Sequence, residues 1–465
     1  MIRILPLVLA VALFMENMDA NVISTSLPAI ARDLDTSPIA LKLALTSYLV
    51  SLAIFIPVSG WMADRFTARH IFRIAMAVFI FGSILCAISN SLTGFVCARF
   101  LQGIGGAMMS PVGRVLLIRS TPKADLINAL AWLTMPALIG PLVGPPLGGF
   151  ITTYFSWHWI FLINVPVGLL GMFFATLYLP RDEVPILRPL DWPGFFLSGI
   201  GLAGIIFGLS MVSLPALPMW LAFVTILIGL ITSYFYLRHA KTAKHPLLDL
   251  SLFKDPIFRK SITGGSFFRI GLGASPFLLP MMLQIAFGLS PLQSGLITFV
   301  GAIGALGMKL GATSTYRRFG FRKVLMFGSI FSAATIAING LFTPQTSYLL
   351  MLGILLVGGF LRSLIFSGVN SLSYADIAQD KVSQAAPIAS VAQQSSVALG
   401  VAIAGTVLEV SLSMHDGGLG LTDFHIAFFI VAAISAISFF IFRTLPKDAG
   451  HALAEKKAKL IRTEK

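Results

Sequence analysis

Three ionisable side chains sit inside long apolar stretches, where a solvated chain would not need them. Asp19 lies in Phe14-Met15-Glu16-Asn17-Met18-Asp19-Ala20-Asn21, after about fifteen mostly apolar residues. A charged group at mid-membrane costs at least ~2.5 kcal/mol, so it is a functional site by default. Arg99 lies about seven residues from the outer end of its own apolar stretch, and Asp19 about nine from the outer end of its stretch. At about 1.5 Å per helical residue their depths agree within ~3 Å. A nearby cation favours the carboxylate, whereas desolvation favours the neutral acid. A carboxyl balanced between the two can take up and release a proton as water access alternates. The same pair also reads as a permanent ion bridge between two helices. Glu16, three residues earlier, shares the Asp19 face. It either acts on Asp19 as a like-charge neighbour or rests inertly against another helix.

The elements that must hold these groups are membrane spans. Apolar residues make up 56% of the 465-residue chain and charged residues only 11%, against roughly 25% charged in a soluble domain. Fourteen segments have the ~20-residue apolar length that crosses a bilayer: 4–30, 40–63, 71–90, 92–118, 126–154, 159–180, 192–213, 217–238, 260–286, 291–312, 323–342, 346–371, 385–411 and 424–445. Backbone groups in lipid must be satisfied within the segment, so these are helices. The first has the look of a signal peptide, but Glu16, Asp19 and the spans that follow argue against cleavage. The net charge of +14 raises the question of nucleic acid. With the N-terminus inside, however, 26 of the 33 Lys and Arg fall on the cytoplasmic side. That asymmetry predicts cytoplasmic N- and C-termini in an inner or plasma membrane, with the basic loops against anionic lipid and no nucleic-acid partner.

The expected fold is an all-α polytopic membrane protein of fourteen transmembrane helices, two six-helix bundles with an inserted hairpin. Residues 1–180 form the first bundle, 181–254 a linker carrying the hairpin 192–238, 255–446 the second bundle and 447–465 a basic cytoplasmic tail. Asp64-Arg65-Phe66-Thr67-Ala68-Arg69 after span 2 pairs with Arg317-Arg318-Phe319-Gly320-Phe321-Arg322 after span 10, a weak internal repeat. Repeats of this kind go with secondary transporters, whose substrate site lies near the midplane.

Span 5 carries Gly140-Pro141-Leu142-Val143-Gly144-Pro145-Pro146-Leu147-Gly148-Gly149. Glycines every fourth residue make a smooth stripe that lets a neighbouring backbone approach closely. Pro145 and Pro146 remove backbone donors and should bend the helix. Together with Asp19…Leu27-Pro28, Gly60-Trp61-Met62-Ala63-Asp64-Arg65, Arg99…Gln102-Gly103-Ile104-Gly105-Gly106 and Trp157-His158-Trp159-Ile160-Phe161-Leu162-Ile163-Asn164-Val165-Pro166, this resembles the signatures of the major facilitator superfamily. Within it, the chain is similar to the fourteen-span drug:proton antiporter branch over nearly its whole length. The resemblance implies alternating-access export of amphiphilic small molecules, of the multidrug-efflux and antibiotic-resistance type, against proton influx, with Asp19, Glu16 and Arg99 in proton coupling. It implies an antiport motif at Gly140, Pro141, Gly144, Pro145, Gly148 and Gly149. It also implies a conformational latch at Gly60, Asp64, Arg65 and Arg69, in which Asp64 meets basic groups and a helix end. Thr67 stands where the family has Gly, and Ala68 where it often has Arg, so a weaker latch is expected.

Between Pro256 and Ala375 there is no Asp or Glu, while Arg269 and Arg362 are embedded there. The expected substrate cavity is therefore neutral to basic on its C-terminal side, lined by Gln102, Arg269, Arg362, Gln393 and Gln394. It disfavours dications and admits neutral, zwitterionic or anionic amphiphiles. Phe267, Phe268 and Phe277 either add apolar contact or face lipid. Lys309 and Arg114 should reach headgroups by snorkelling. Cys86 and Cys97 read as inert small hydrophobes, with a disulfide as the alternative. The seven histidines lie in loops, near span ends or in the tail. No metal site, cofactor or enzymatic cluster is expected. A monomer is expected, with protons and a small-molecule substrate as partners. Export of an endogenous metabolite, siderophore or organic acid remains open, as do a proton-linked importer and a non-transporting sensor.

Overall fold

The computed structural model describes residues 4–121, 126–179, 189–212, 218–244, 246–377, 381–415 and 418–450. Lys123, Arg181, Arg188 and Pro215, and the basic tail from 451, lie outside them. Among the described residues the chain is helical throughout and holds no strand. The helices in order are α1 (Ile4–Val22), α2 (Leu27–Asp33), α3 (Lys42–Phe66), α4 (Ala68–Ala87), α5 (Leu92–Ser120), α6 (Leu126–Tyr154), α7 (Trp159–Leu162), α8 (Asn164–Tyr178), α9 (Trp192–Met211), α10 (Met219–Thr242), α11 (Pro256–Met281), α12 (Pro291–Phe319), α13 (Phe321–Asn339), α14 (Tyr348–Leu372), α15 (Val382–Leu412) and α16 (Leu421–Arg443). Thirteen segments are long and apolar enough to cross a membrane, and the 29-residue α6 occupies the remaining expected span. The chain is a multi-pass membrane protein.

Local chemistry explains several boundaries. The first span was expected to run unbroken over 4–30. Instead α1 gives way to a 3₁₀ turn at Ile23–Thr25 and restarts as α2, with Pro28 in its first turn. Proline has no N–H to give the preceding turn but fits a helix start. The Ser91 hydroxyl accepts from Gly94 N at 3.2 Å and caps α5. The Asp191 carboxylate caps α9 through Gly194 N at 3.0 Å, contacts His239 Nε2 on α10 at 2.6 Å and accepts from Leu247 N at 3.0 Å. One carboxylate thus fastens both ends of the inserted pair. Along the pair, a Cβ added to Gly204 would meet the Gly229 backbone at 2.8 Å.

Two compact units emerge. One comprises 1–247 and 280–299, the other 248–279 and 300–465. In the first, a core of α1, α3, α4, α5, α6 and α8 side chains includes Leu9, Leu13, Phe72, Phe79, Met109 and Leu116. In the second, Phe268, Tyr316, Phe321, Leu325, Ile365 and Phe442 form the core. Phe268 and Phe277 are both 1% exposed, so they are interior packing and not lipid-facing. Cys97 is exposed while Cys86 is buried, and neither is paired, so the expectation of two buried thiols fails for Cys97.

Candidate functional site

Residues two apart on a helix face nearly opposite directions, and α1 uses both sides. Asn17 and Asn21 face α6, and Asp19 faces α5. The glycine stripe creates the first contact. A Cβ on Gly140 would come 2.8 Å from Met18 N, one on Gly144 would come 2.9 Å from Asn21 Cβ, and one on Gly148 would collide with Val22 O. Gly149 packs on Leu292, where a Cβ would lie 2.8 Å from its Cα. Pro141 and Pro145 are half-buried, and α6 runs through them uninterrupted. Thr25 Oγ1 donates weakly to Pro145 O at 3.4 Å.

On the other side, Asp19 is fully buried and Arg99 is 1% exposed. Arg99 Nη1 donates to Asp19 Oδ2 at 2.6 Å and to Gln102 Oε1 at 2.5 Å. Gln102 Nε2 donates to Asp19 Oδ1 at 2.9 Å and to Ser83 Oγ at 2.8 Å. Asn164 Nδ2 donates to Asp19 Oδ1 at 2.8 Å. The guanidinium lies 4.3 Å from the Tyr48 ring centroid and 5.7 Å from that of Phe161. Charge-assisted hydrogen bonds are about twice as strong as neutral ones, and here both carboxylate oxygens are occupied. The equal depths expected of Asp19 and Arg99 thus close into a direct pair. Gln102, expected at the cavity, is instead fully buried inside this network. Asn164, Ser83 and Tyr48 were not singled out as site residues. An amide within the apolar run Trp157–Pro166 is the signal that points to Asn164, whereas a serine in a span gives almost none.

Glu16 also faces α5. It is half-buried and accepts from Ser110 Oγ at 2.7 Å, with no cation bonded to it among the described residues. Arg114, one turn beyond Ser110, is exposed, as is Lys309, in keeping with snorkelling.

In the last turn of α3, Asp64 Oδ1 accepts from Arg119 Nη2 at 2.5 Å, an ion pair to the last turn of α5. Arg119 was not among the expected latch residues. Arg69 is buried and donates to Thr176 O on α8 at 2.7 Å. Arg65 and Gly60 are exposed. Thr67, in place of the family's glycine, has φ +65° and its hydroxyl lies 2.7 Å from His70 Nδ1. A β-branched residue in this region is strained.

In the second unit, Arg269 is 1% exposed. Its Nη2 donates to Asn370 Oδ1 at 2.7 Å, while Nε and Nη1 are buried without a partner. Arg362 Nε donates to Gly358 O on its own helix at 3.2 Å. Gln393 and Gln394 are half-buried on α15.

These units, helical and apolar, one with a carboxylate–guanidinium pair at its centre, define a polytopic carrier. The family description Major Facilitator Superfamily matches residues 9–400 and 261–464. Relatives named for multidrug resistance, MdtD, are 36% identical in Salmonella typhimurium strain LT2 over 444 residues, covering 95% of this chain and 94% of the relative. In Escherichia coli O6:K15:H31 the figure is 34% over 456 residues, covering 97% and 96%. Among solved structures, a D-xylose–proton symporter superposes with TM-score 0.69 at 16% identity, covering 96% of this chain and 98% of that one. The nucleoside transporter NupG gives TM-score 0.65 at 15% identity, covering 94% and 98%. The chain belongs to the Major Facilitator Superfamily.

Proposed function

We propose that this chain is a proton-coupled antiporter that exports amphiphilic small molecules by alternating access, in the inner or plasma membrane, with both termini cytoplasmic and a single chain as the working unit. The observation that carries the reading is the Asp19 carboxylate, fully buried against Arg99 with Gln102 and Asn164 on its other oxygen. In this arrangement a proton can reach Asp19 only by displacing a donor from one of its oxygens, and Arg99 is the donor that carries charge. Coupling is therefore an exchange on one carboxylate: Arg99 holds it while the site is sealed, and a proton replaces Arg99 when water enters. Glu16, one turn toward the cytoplasmic end and bonded among the described residues to Ser110 alone, passes that proton on. The α6 glycine stripe rests on the opposite face of α1, so a displacement of α6 moves the helix that carries the acid. Asp64 with Arg119, and Arg69 with Thr176, tie the α3–α4 turn to α5 and α8 as the latch. The multidrug names of the relatives support drug-like cargo. The basic C-terminal unit favours organic-acid cargo as the second reading.

The test is flux in sealed proteoliposomes with an imposed pH gradient. Asp19→Asn is expected to abolish gradient-driven accumulation while downhill counterflow persists. Full coupling in Asp19→Asn, lost instead in Glu16→Gln, would move the proton site to Glu16. Substrate movement with no proton movement in the wild type would falsify antiport altogether.

A further inference from the structure

Arg269 is a buried cation whose only hydrogen-bond partner among the described residues is an amide. The asparagine oxygen bonded to its Nη2 satisfies one donor but carries no charge, and Nε and Nη1 have no acceptor. No carboxylate occurs between Pro256 and Ala375, the stretch that holds α11 to α14, and none bonds to Arg269 among the described residues. A buried charge without a counterion costs several kcal/mol in real proteins, and such groups are normally paired. Arg99 in the other unit meets that rule with Asp19.

The surroundings of Arg269 have the form of a site. Arg362, Phe366 and Asn370 recur every four residues and so share one face of α14 over about 12 Å. All three are half-buried. Asn370 receives Arg269, and the Arg269 guanidinium lies 5.6 Å from the Phe366 ring centroid. One full turn further, Arg362 spends only Nε on its own helix, and its two terminal nitrogens have no acceptor among the described residues. Each guanidinium is bordered by a glycine. A Cβ on Gly265 would stand 3.0 Å from Arg269 Nη1, and one on Gly301 would stand 3.3 Å from Arg362 Nη2. Side chains at those two positions would crowd the free donors.

We propose that this stripe is an anion subsite: Arg269 binds the carboxylate or sulfonate of a ring-bearing amphiphile, whose flat body packs on Phe366, with Arg362 as a second cation further along the same face. The assignment rests on the export reading for its physiological meaning, and it narrows the cargo to anions. The anion completes the hydrogen bonding that Arg269 lacks, and it leaves with its own charge when released. Arginine suits the task because it stays charged and its planar fork matches oxyanions.

The probes are 2-naphthalenesulfonate and naphthyltrimethylammonium, both permanently charged on the same ring system. Affinity is measured on purified carrier in detergent, without any gradient. The wild type is expected to prefer the sulfonate by at least tenfold. Arg269→Gln and Arg362→Gln should each reduce that preference about tenfold. Asn370→Asp supplies an internal counterion, so it should abolish sulfonate binding while raising the melting temperature. This last variant separates a binding role from a structural one, because it stabilises the fold and neutralises Arg269 together. Equal binding of the two probes by the wild type overturns the subsite, and so does an unchanged preference in both Arg269→Gln and Asn370→Asp. Sulfonate binding by a carrier that never moves protons sinks the antiport reading and leaves the subsite standing. Proton-driven flux of the ammonium probe by a carrier that ignores the sulfonate overturns the subsite alone.

Discussion

The two units each bury an arginine to 1% exposure, and they treat it in opposite ways. Arg99 is met by a carboxylate, a glutamine oxygen and two aromatic faces. Arg269 is met by one asparagine oxygen and one aromatic ring. A closed pair holds helices and can exchange a proton for a guanidinium. Arg269 keeps Nε and Nη1 buried without an acceptor among the described residues. The turns after α3 and α12 form a second contrast. Thr67 (φ +65°, ψ +137°) and Gly320 (φ +76°, ψ +155°) occupy matching places in the weak repeat and nearly the same backbone conformation. Glycine enters that region freely, whereas a β-branched residue is strained there by roughly 1–3 kcal/mol. The hydroxyl contact to His70 offsets part of the strain in Thr67.

The largest effect should come from opening the closed pair. Asp19→Asn leaves Arg99 buried without its counterion, and removing one partner of a buried pair costs about 3–5 kcal/mol. Thermal unfolding in detergent should show a drop of several degrees, alongside the loss of coupling. If the melting temperature holds, the pair is not what secures α1 to α5.

Next in size is the glycine stripe on the far side of α1. Gly148→Ala drives a methyl into Val22 O, and overpacking of this kind costs about 1–3 kcal/mol. Gly60 has nothing within 4 Å of an added Cβ, so Gly60→Ala should be neutral or stabilising by up to ~1 kcal/mol. A melting temperature held or raised in Gly148→Ala, as in Gly60→Ala, would mean that helix propensity, and not contact with α1, governs Gly148.

Swapping the turn residues tests the second contrast. Gly320→Thr should destabilise by about 1–2 kcal/mol, and Thr67→Gly should stabilise by about 1 kcal/mol or less, since it also loses the His70 contact. Two changes of the same sign would show that the turns are not equivalent.

The smallest effect concerns Asp376, in the loop after α14. Partial desolvation, with Asp255 and Asp448 nearby, holds its carboxyl above the ordinary range. A raised acid disfavours its charged form in the folded state. Stability is therefore greatest below the ordinary carboxylate value and is lost as pH climbs through the raised one. Asp376→Asn should raise the melting temperature at pH 7 by about 1 °C or less and leave it unchanged near pH 3. A larger gain at acid pH would reverse the assignment.

Much of this was legible in the residues. The span pattern, the α6 stripe and the shared depth of Asp19 and Arg99 all follow from spacing along single helices. The same reasoning placed Glu16 on the Asp19 face, and both side chains do reach α5. It placed Gln102 at a cavity, where the structure has it bonded to Asp19 and Ser83. It passed over Arg119 as the partner of Asp64, because a basic residue in the last turn of a span reads as an ordinary headgroup contact.

Hydropathy and charge act residue by residue, so the chain alone determined that these segments are membrane helices and which ionisable groups lie within them. Whether a buried charge is answered was decided only by tertiary structure. Asn164 reaches Asp19 across 145 residues, and Asn370 reaches Arg269 across 101. A hydrogen bond between such distant positions needs its atoms within ~3 Å, and only the packing of whole helices sets that distance.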